Sequence, residues 1–146
     1  MRAMRPRATL LERKAVGSMG GTYVNALEPL GRHFVTMRFD RSLNYINVAA
    51  FKDTVLEVLA HYPEVRGILV IGSGINEIDA SGVDKVSELA QRLQQGVALM
   101  FSSLEAQVAA VFERAGLMDQ LGPGNVFPSK ERAVEDARRR FDMVPA

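Results

Sequence analysis

The sequence contains no cysteine and has only two histidines. The absence of cysteine excludes disulfide bonds and thiolate metal sites within this chain. The histidines, His33 and His61, are not spaced with other ligand residues in a pattern that a metal requires, so we expect no metal site. Candidate functional groups must therefore come from other polar side chains and from the backbone.

The sequence also lacks an excess of either charge and any long apolar run. Its 18 basic and 17 acidic side chains give a net charge of +1, so there is no general electrostatic case for binding nucleic acid. No apolar run approaches the roughly 20 residues that a transmembrane helix needs. The basic start, residues 1–7, has no continuous apolar segment behind it. We therefore expect no signal peptide and a soluble chain.

Motifs for nucleotide binding and hydrolysis are missing as well. Gly72 and Gly74 lack the third glycine of a dinucleotide fingerprint, and they do not belong to a Walker loop. Asp79-Ala80-Ser81-Gly82 is not the Gly-x-Ser-x-Gly elbow of a hydrolase, and no oxyanion motif accompanies it. No positioned acid–base pair can be argued from the sequence. These motifs therefore give no case for a particular enzymatic mechanism.

The most informative stretch, Val65–Leu93, combines an apolar run with an amphipathic helix. Gly67–Ile71 has no polar side chain, as in a strand that is buried on both faces. Further along, apolar residues recur at three- and four-residue steps from Val83 onward, which predicts one buried face of a helix. Ser81 stands where this helix should begin, and its hydroxyl is expected to cap the unpaired backbone N–H groups there.

The other segments predict an alternation of strands and helices. Strands are expected at Ala8–Lys14, His33–Phe39, Gly67–Ile71, Gly96–Phe101 and Asn125–Phe127, with Leu43–Ile46 as a candidate for a further short strand. Helices are expected from Asn47 to His61, from Ser81 to Leu93, over Leu104–Ala115 and from Ser129 to Phe141. This order is typical of the α/β class with a mostly parallel central sheet.

Two helix starts are expected at the carboxyl edge of this sheet. One is at Asn47, whose amide oxygen is expected to cap the first helix, and the other is at Ser81. Ligands and partners of open α/β sheets prefer this edge, and helix N-termini there favour a shallow anion site. Phosphorylation of Ser81 would add a charge of about −1.5 to −2, which the helix end favours and Asp79 opposes. The edge is therefore a candidate binding surface that charge can switch.

Several motifs resemble those of the STAS domain, the fold shared by sulfate transporters and bacterial anti-sigma-factor antagonists. The signature is Asp79-Ala80-Ser81-Gly82 after a buried strand, and the resemblance extends from about Pro6 to Phe141. Met37–Asn47 is similar to the strand and aromatic-rich segment of SulP-type transporters, although Asn44-Tyr45-Ile46 stands where that family more often has phenylalanine. The later segments Gly116–Gly122 and Asn125–Pro128 resemble the turn before the family's last helix.

The resemblance implies a STAS fold, in which a mostly parallel sheet carries an antiparallel N-terminal strand and four to five helices, without catalytic activity. Ser81 matches the position that a partner kinase phosphorylates in the antagonists, and Asp79 and Gly82 match its flanking residues. Together with Asn44 and Asn47, these are the candidate regulatory and binding residues. No cofactor is expected, and weak nucleotide or anion binding at this edge is an open alternative.

The resemblance also implies how the chain is organised. Residues 1–7 are expected to be a basic linker, residues 8–142 the STAS domain and residues 143–146 a tail. Arg5-Pro6-Arg7 resembles the join after the last membrane helix of a transporter, where basic side chains attract anionic lipid.

The leading hypothesis is a cytoplasmic regulatory domain of a SulP-type sulfate or anion transporter, held at the cytoplasmic face of the membrane. It would dock its Asp79–Ser81 edge, or its first helix, onto the membrane domain of that transporter or onto a soluble protein. Two alternatives stay open: a stand-alone anti-sigma-factor antagonist switched by phosphorylation at Ser81, and a small nucleotide- or anion-binding protein. No nucleic-acid partner is expected.

Overall fold

A five-stranded sheet runs through the middle of the protein in the computed structural model, which describes residues 27–93 and 95–141. The strands follow one another in space in chain order: β1 (Leu27–Pro29), β2 (Phe34–Arg38), β3 (Gly67–Ile71), β4 (Ala98–Ser102) and β5 (Val126–Phe127). The first strand is antiparallel to the second, and all other neighbours are parallel. In this register Ile68 lies between Val35 and Leu99.

The three central strands are buried on both faces, as their apolar sequences predict. Because successive side chains of a strand point to opposite faces, the strands supply two separate hydrophobic clusters. Val35, Ile68 and Phe101 belong to the larger cluster. On the other face, Phe34, Leu69 and Met100 form the smaller one.

Five helices cover these two faces within the described residues. Four of them contribute to the larger cluster: α1 (Val48–His61), α2 (Ala80–Leu93), α3 (Ala106–Arg114) and α4 (Leu117–Leu121). The last helix, α5 (Lys130–Phe141), packs Ala133, Ala137 and Phe141 onto the smaller cluster. Among the described residues, no helix is both long enough and apolar enough to span a bilayer. The predicted α/β class, with its mostly parallel sheet and one antiparallel strand, is confirmed.

The sequence patterns located the long elements within a few residues. The strand Gly67–Ile71 has the predicted bounds, and the strand predicted at His33–Phe39 is shorter by one residue at each end. The antiparallel strand β1 lies outside the strands that the sequence patterns predicted. The strand predicted at Ala8–Lys14 lies outside the described residues.

One local prediction was wrong, and one short helix was missed. Leu43–Ile46 is not a strand: Leu43 makes a single isolated bridge to Ile78, and the chain then turns into α1. The short helix α4 was not predicted, because it has only five residues between two glycines. Both glycines, Gly116 at φ 77° and Gly122 at φ 102°, have positive φ angles that let the chain change direction there.

A row of four phenylalanine rings crosses the larger cluster. Phe51 of α1 meets Phe39 edge-on at 5.2 Å between ring centroids and stacks on Phe101 at 6.3 Å. The ring of Phe101 in turn meets Phe112 of α3 edge-on at 5.1 Å. All four side chains are fully buried. This row therefore ties α1 and α3 to the central strand β4.

We expect Phe51→Ala to lower the free energy of unfolding by about 3–5 kcal/mol, because it removes the ring that contacts two others and leaves a cavity. The matched control is Tyr45→Ala, since Tyr45 is an aromatic residue that is 72% exposed, and we expect a change below about 0.5 kcal/mol. Urea unfolding followed by circular dichroism measures both. Similar losses for the two variants would contradict this assignment of the core.

Candidate functional site

Two loops meet at the carboxyl edge of the sheet. One follows β2 and leads into α1, and the other follows β3 and leads into α2. Leu43 joins them through two backbone hydrogen bonds: its N–H donates to the carbonyl of Glu77 at 2.9 Å, and its carbonyl accepts from the N–H of Asp79 at 3.1 Å. We call residues 43–47 and 77–82 together the Asp79 edge. The expectation that the two helix starts converge here is confirmed.

The carboxylate of Asp79 connects both loops to one helix start. Its Oδ1 accepts a hydrogen bond from the backbone N–H of Gly82 at 2.9 Å, which caps the first turn of α2. Its Oδ2 accepts from the backbone N–H of Tyr45 at 3.1 Å, in the other loop. The backbone carbonyl of Asp79 also accepts from Val83 at 2.9 Å. One side chain therefore fixes the start of α2 and the position of the loop that carries Tyr45.

Ser81 does not cap the helix, contrary to the prediction. The helix begins at Ala80, one residue earlier than expected, so Ser81 lies inside its first turn. The Ser81 side chain is half-buried and makes no hydrogen bond to the residues that the structure describes. Aspartate is as good a capping residue as serine, so the sequence signal for Asp79 was present and only the exact helix start was misjudged.

The side chain of Asn47 does not cap α1 either, although Asn47 occupies the N-cap position. Its Nδ2 donates to the carbonyl of Ser42 at 3.0 Å, and its Oδ1 accepts from Arg41 at 3.2 Å. The Oδ1 of Asn44 instead accepts from the N–H groups of Ile46 and Asn47, both at 3.1 Å. This is the local turn that short amide side chains favour. Asn44 and Asn47 are thus brought to the edge, where they shape its backbone.

Gly82 is needed because another backbone lies against it. A Cβ atom at this position would collide with the carbonyl oxygen of Leu43, the same residue that bridges the two loops. Only glycine allows α2 to begin this close to the neighbouring loop. Of the three predicted residues, Asp79 and Gly82 therefore fix the structure of the edge. The hydroxyl of Ser81 makes no hydrogen bond to the described residues.

Tyr45 and Ile46 are functional candidates that the sequence analysis missed. They are 72% and 67% exposed, and among the described residues they are the large hydrophobic side chains that face solvent. The turn made by Asn44 and the bond from Tyr45 to Asp79 fix their backbone. Both residues directly precede the apolar stripe of α1, which indicates that they lie near its start. No local sequence pattern shows that their side chains face solvent.

Among the described residues, the polar groups of this edge do not form a metal site. The described residues contain no group of three or more histidine, cysteine, aspartate or glutamate side chains placed to hold a metal. Outside the edge, His33 and His61 each bond through Nδ1 to a backbone carbonyl, that of Glu64 at 2.9 Å and that of Glu57 at 3.1 Å. What the edge offers is exposed apolar surface, a hydroxyl and helix N-termini.

The pKa of Glu88 on α2 is lowered by a neighbouring side chain of the same helix. A hydrogen bond from Lys85 at 2.9 Å, followed by the charge of that ammonium, lowers the pKa of Glu88. Glu88 is exposed and lies more than one helical turn beyond Ser81. This is an ordinary ion pair along a helix surface.

We expect Asp79→Ala to lower the free energy of unfolding by about 1–2 kcal/mol, because it leaves two backbone N–H groups without their acceptor. Ser81→Ala should change it by less than about 0.5 kcal/mol. Asp79→Asn should fall between them, since its single amide oxygen can still cap α2. Urea unfolding of the three variants decides which residue is the cap, and a larger loss for Ser81→Ala would overturn the assignment.

Comparisons with known proteins agree with this architecture. A family model for the STAS domain matches residues 26–133. A probable sulfate transporter of Mycobacterium tuberculosis is 25% identical over 108 residues, which cover 73% of this chain and 19% of the relative. The chain thus spans about a fifth of the length of that curated relative.

Solved structures with the same fold include a transporter domain and an anti-sigma factor antagonist, the two kinds of protein that the sequence motifs resemble. The SulP transporter STAS domain of Vibrio cholerae superposes with a TM-score of 0.61 at 18% identity, covering 92% of this chain and 98% of that one. The unphosphorylated anti-sigma factor antagonist SpoIIAA gives a TM-score of 0.60 at 22% identity, covering 82% and 97%. At these identities the superpositions establish the fold. The family match extends over most of the chain and coincides with that fold, so the chain belongs to the STAS domain family.

Proposed function

We propose that this chain is a non-catalytic, cytoplasmic regulatory domain of a SulP-type anion transporter and that it docks onto the membrane domain through the Asp79 edge. The relative found by sequence is named a probable sulfate transporter, and this chain corresponds to only 19% of it. In this proposal, the membrane domain lies in the part of such a transporter that this chain does not match. Basic residues within 1–7 would contact anionic lipid beside it.

The observation that carries this proposal is the exposed pair Tyr45 and Ile46 on a fixed backbone. Their exposures of 72% and 67% contrast with the complete burial of the other large apolar side chains nearby, such as Leu43 and Phe51. An apolar patch rimmed by polar groups is typical of a protein interaction surface. Burial of each such side chain in an interface contributes about 1.5–3 kcal/mol. A backbone that is already fixed loses little entropy on docking.

Ser81 gives this surface a means of regulation. A phosphate on its hydroxyl would lie at the start of α2, where the exposed end of the helix dipole favours negative charge. The same phosphate would repel the Asp79 carboxylate, which holds the N–H of Tyr45. Modification would therefore disturb the loop that carries Tyr45 and Ile46 while the core stays folded.

A second candidate function is a stand-alone anti-sigma-factor antagonist, whose partner would be a soluble anti-sigma factor. Two observations favour it. The fold covers 97% of SpoIIAA, which is an antagonist by its name, and the Ser81 hydroxyl has no hydrogen-bond partner among the described residues. In this case phosphorylation of Ser81 would control release of the partner. Weak nucleotide or anion binding at the same edge is the remaining alternative, and nothing at the edge specifies a base.

The DNA upstream of the codon for Met1 distinguishes the two leading functions. The transporter proposal predicts that the reading frame continues upstream into a series of apolar segments, each long enough to span a bilayer. A stop codon and a ribosome-binding site directly upstream would instead favour the antagonist. A neighbouring kinase gene would strengthen that second outcome.

We expect the double variant Tyr45→Ala/Ile46→Ala to weaken binding to the membrane domain by at least about tenfold, because two buried apolar contacts are lost. Ser81→Glu should weaken it as well, through added charge. Binding is measured by biolayer interferometry between the purified domain and the detergent-solubilised membrane domain. The control is Arg132→Ala on α5, across the sheet from α1 and α2. Equal binding by all four proteins would exclude the Asp79 edge as the docking surface.

A further inference from the structure

The chain enters the sheet at the same end of the domain as the Asp79 edge. Strand β1 is antiparallel to β2, and Leu27 at its start pairs with Met37, next to the last residue of β2. The Asp79 edge also lies at this end, because its two loops follow the carboxyl ends of β2 and β3. The residues before Leu27 therefore join the domain at the end that carries the exposed pair Tyr45 and Ile46.

The surroundings of this exposed pair carry a net negative charge within the described residues. Four carboxylates of the region make no ion pair with a described residue, those of Asp53, Glu77, Asp79 and Asp84. Two further carboxylates are each paired with a cation, Asp40 with Arg38 at 3.2 Å and Glu88 with Lys85 at 2.9 Å. The cations Arg41 and Lys52 offset only part of the remaining charge. A partner with basic side chains is therefore attracted to this edge.

The surface around the last turn of α5 has the opposite character. Arg138, Arg139 and Arg140 follow one another there, and Arg66 lies over the same ring of Phe141 as Arg140 does. A basic segment is repelled by this surface, so charge alone distinguishes it from the Asp79 edge.

One segment of the chain outside the described residues has the chemistry that complements the edge. Residues 7–14, which we call the basic segment, contain Leu10 and Leu11 together with three basic side chains and one acidic side chain. Residues 15–26 connect this segment to Leu27, and a fully extended chain of that length spans up to about 40 Å. A domain of this size has a radius of gyration of about 15 Å, so the connection is long enough to reach the Asp79 edge.

We propose that the basic segment docks on the Asp79 edge of its own chain and competes there with the partner of that edge. Its two leucines cover Tyr45 and Ile46, and Arg13 and Lys14 meet the carboxylates around them. Because the segment and the edge belong to one chain, even a weak contact forms at a millimolar effective concentration. The regulatory meaning of this contact rests on the proposed docking function, whereas the contact itself does not.

The proposal gives phosphorylation of Ser81 a definite direction. A phosphate would add a charge of about −1.5 to −2 to an edge that is already negative. It strengthens the attraction for the basic segment and thereby displaces a partner that binds Tyr45 and Ile46. Modification of Ser81 and docking of the segment therefore act together.

The intramolecular contact is tested by paramagnetic broadening in the full ¹⁵N-labelled chain. Since the chain has no cysteine, Ala15→Cys accepts a single nitroxide label beside the basic segment. We expect the label to lower the amide peak intensities of Tyr45 and Ile46 at least about twofold, because docking holds it near them. Ser81→Glu should lower these intensities further.

Two pairs of substitutions in the labelled chain show whether the contact is specific. Leu10→Ser/Leu11→Ser removes the apolar part and Arg13→Glu/Lys14→Glu reverses the charge, so each should restore most of the lost intensity. The matched control is Met4→Ser/Met19→Ser, which makes the same kind of change as the leucine pair on either side of the segment and should restore none.

Three outcomes would overturn the intramolecular contact. Broadening that survives both pairs of substitutions, or that the control pair abolishes equally, reflects only the nearness of the label to Leu27. Broadening centred on β1 would place the segment at the edge of the sheet instead. Broadening of an unlabelled ¹⁵N chain by a separate nitroxide-labelled chain would show docking onto a second copy.

The competition is measured separately by biolayer interferometry with the detergent-solubilised membrane domain. Leu10→Ser/Leu11→Ser should bind it at least about threefold more tightly than the unaltered chain, because the edge is no longer covered. Unchanged affinity would overturn the competition. If neither chain binds the membrane domain while the broadening is observed, the proposed docking function fails and the intramolecular contact stands.

Discussion

The carboxylate of Asp79 is the group on which the arrangement of the functional edge depends. One oxygen holds the first turn of α2 and the other holds the loop that leads into α1. These segments follow different strands, so a single side chain sets the position of two neighbouring β–α connections. The close approach of Leu43 to Gly82 is a consequence of this geometry, since the two loops share backbone hydrogen bonds at the same point. The exposed pair Tyr45 and Ile46 is presented by one of these loops, and the proposed docking surface thus rests on the contacts of one side chain.

The sheet separates two surfaces with different chemistry. At its carboxyl edge lie exposed apolar side chains, the Ser81 hydroxyl and two helix starts, which suit a protein partner and a charge-operated switch. At the opposite end, Arg66 and Phe141 line an open cavity. The same strands reach both ends, and their side chains are completely buried at Ile68 and Leu69 between them. Such a rigid centre allows each surface to be altered by mutation without rebuilding the other.

Sequence patterns predicted those features whose cause is local. After Gly67, every residue of the run Gly67–Ile71 has an apolar side chain, as a strand buried on both faces requires. The strand was therefore predicted with its correct bounds. The helix ending at His61 was found because Pro63 follows it and its apolar stripe has helical spacing. The strand predicted at Leu43–Ile46 was wrong because a short apolar stretch is compatible with a strand and with a turn. The side chain of Asn44 accepts hydrogen bonds from the backbone that stabilise the turn. Serine and aspartate are both common capping residue types, and the backbone hydrogen bond between Leu43 and Asp79, which the sequence does not show, accompanies the earlier helix start.

The sequence by itself determined the class of fold, the STAS resemblance and the identity of the edge residues Asp79, Ser81 and Gly82. It could do so because periodicity and short motifs record which face of each element is buried and where each element ends. Only the tertiary structure decided what these residues do: Asp79 holds two loops, Gly82 admits a neighbouring backbone and Ser81 keeps its hydroxyl available. It alone also placed Arg66 beside Phe141 and left Tyr45 exposed. These relations depend on the register of parallel strands, which brings together residues far apart in the chain, and no local pattern encodes such a contact.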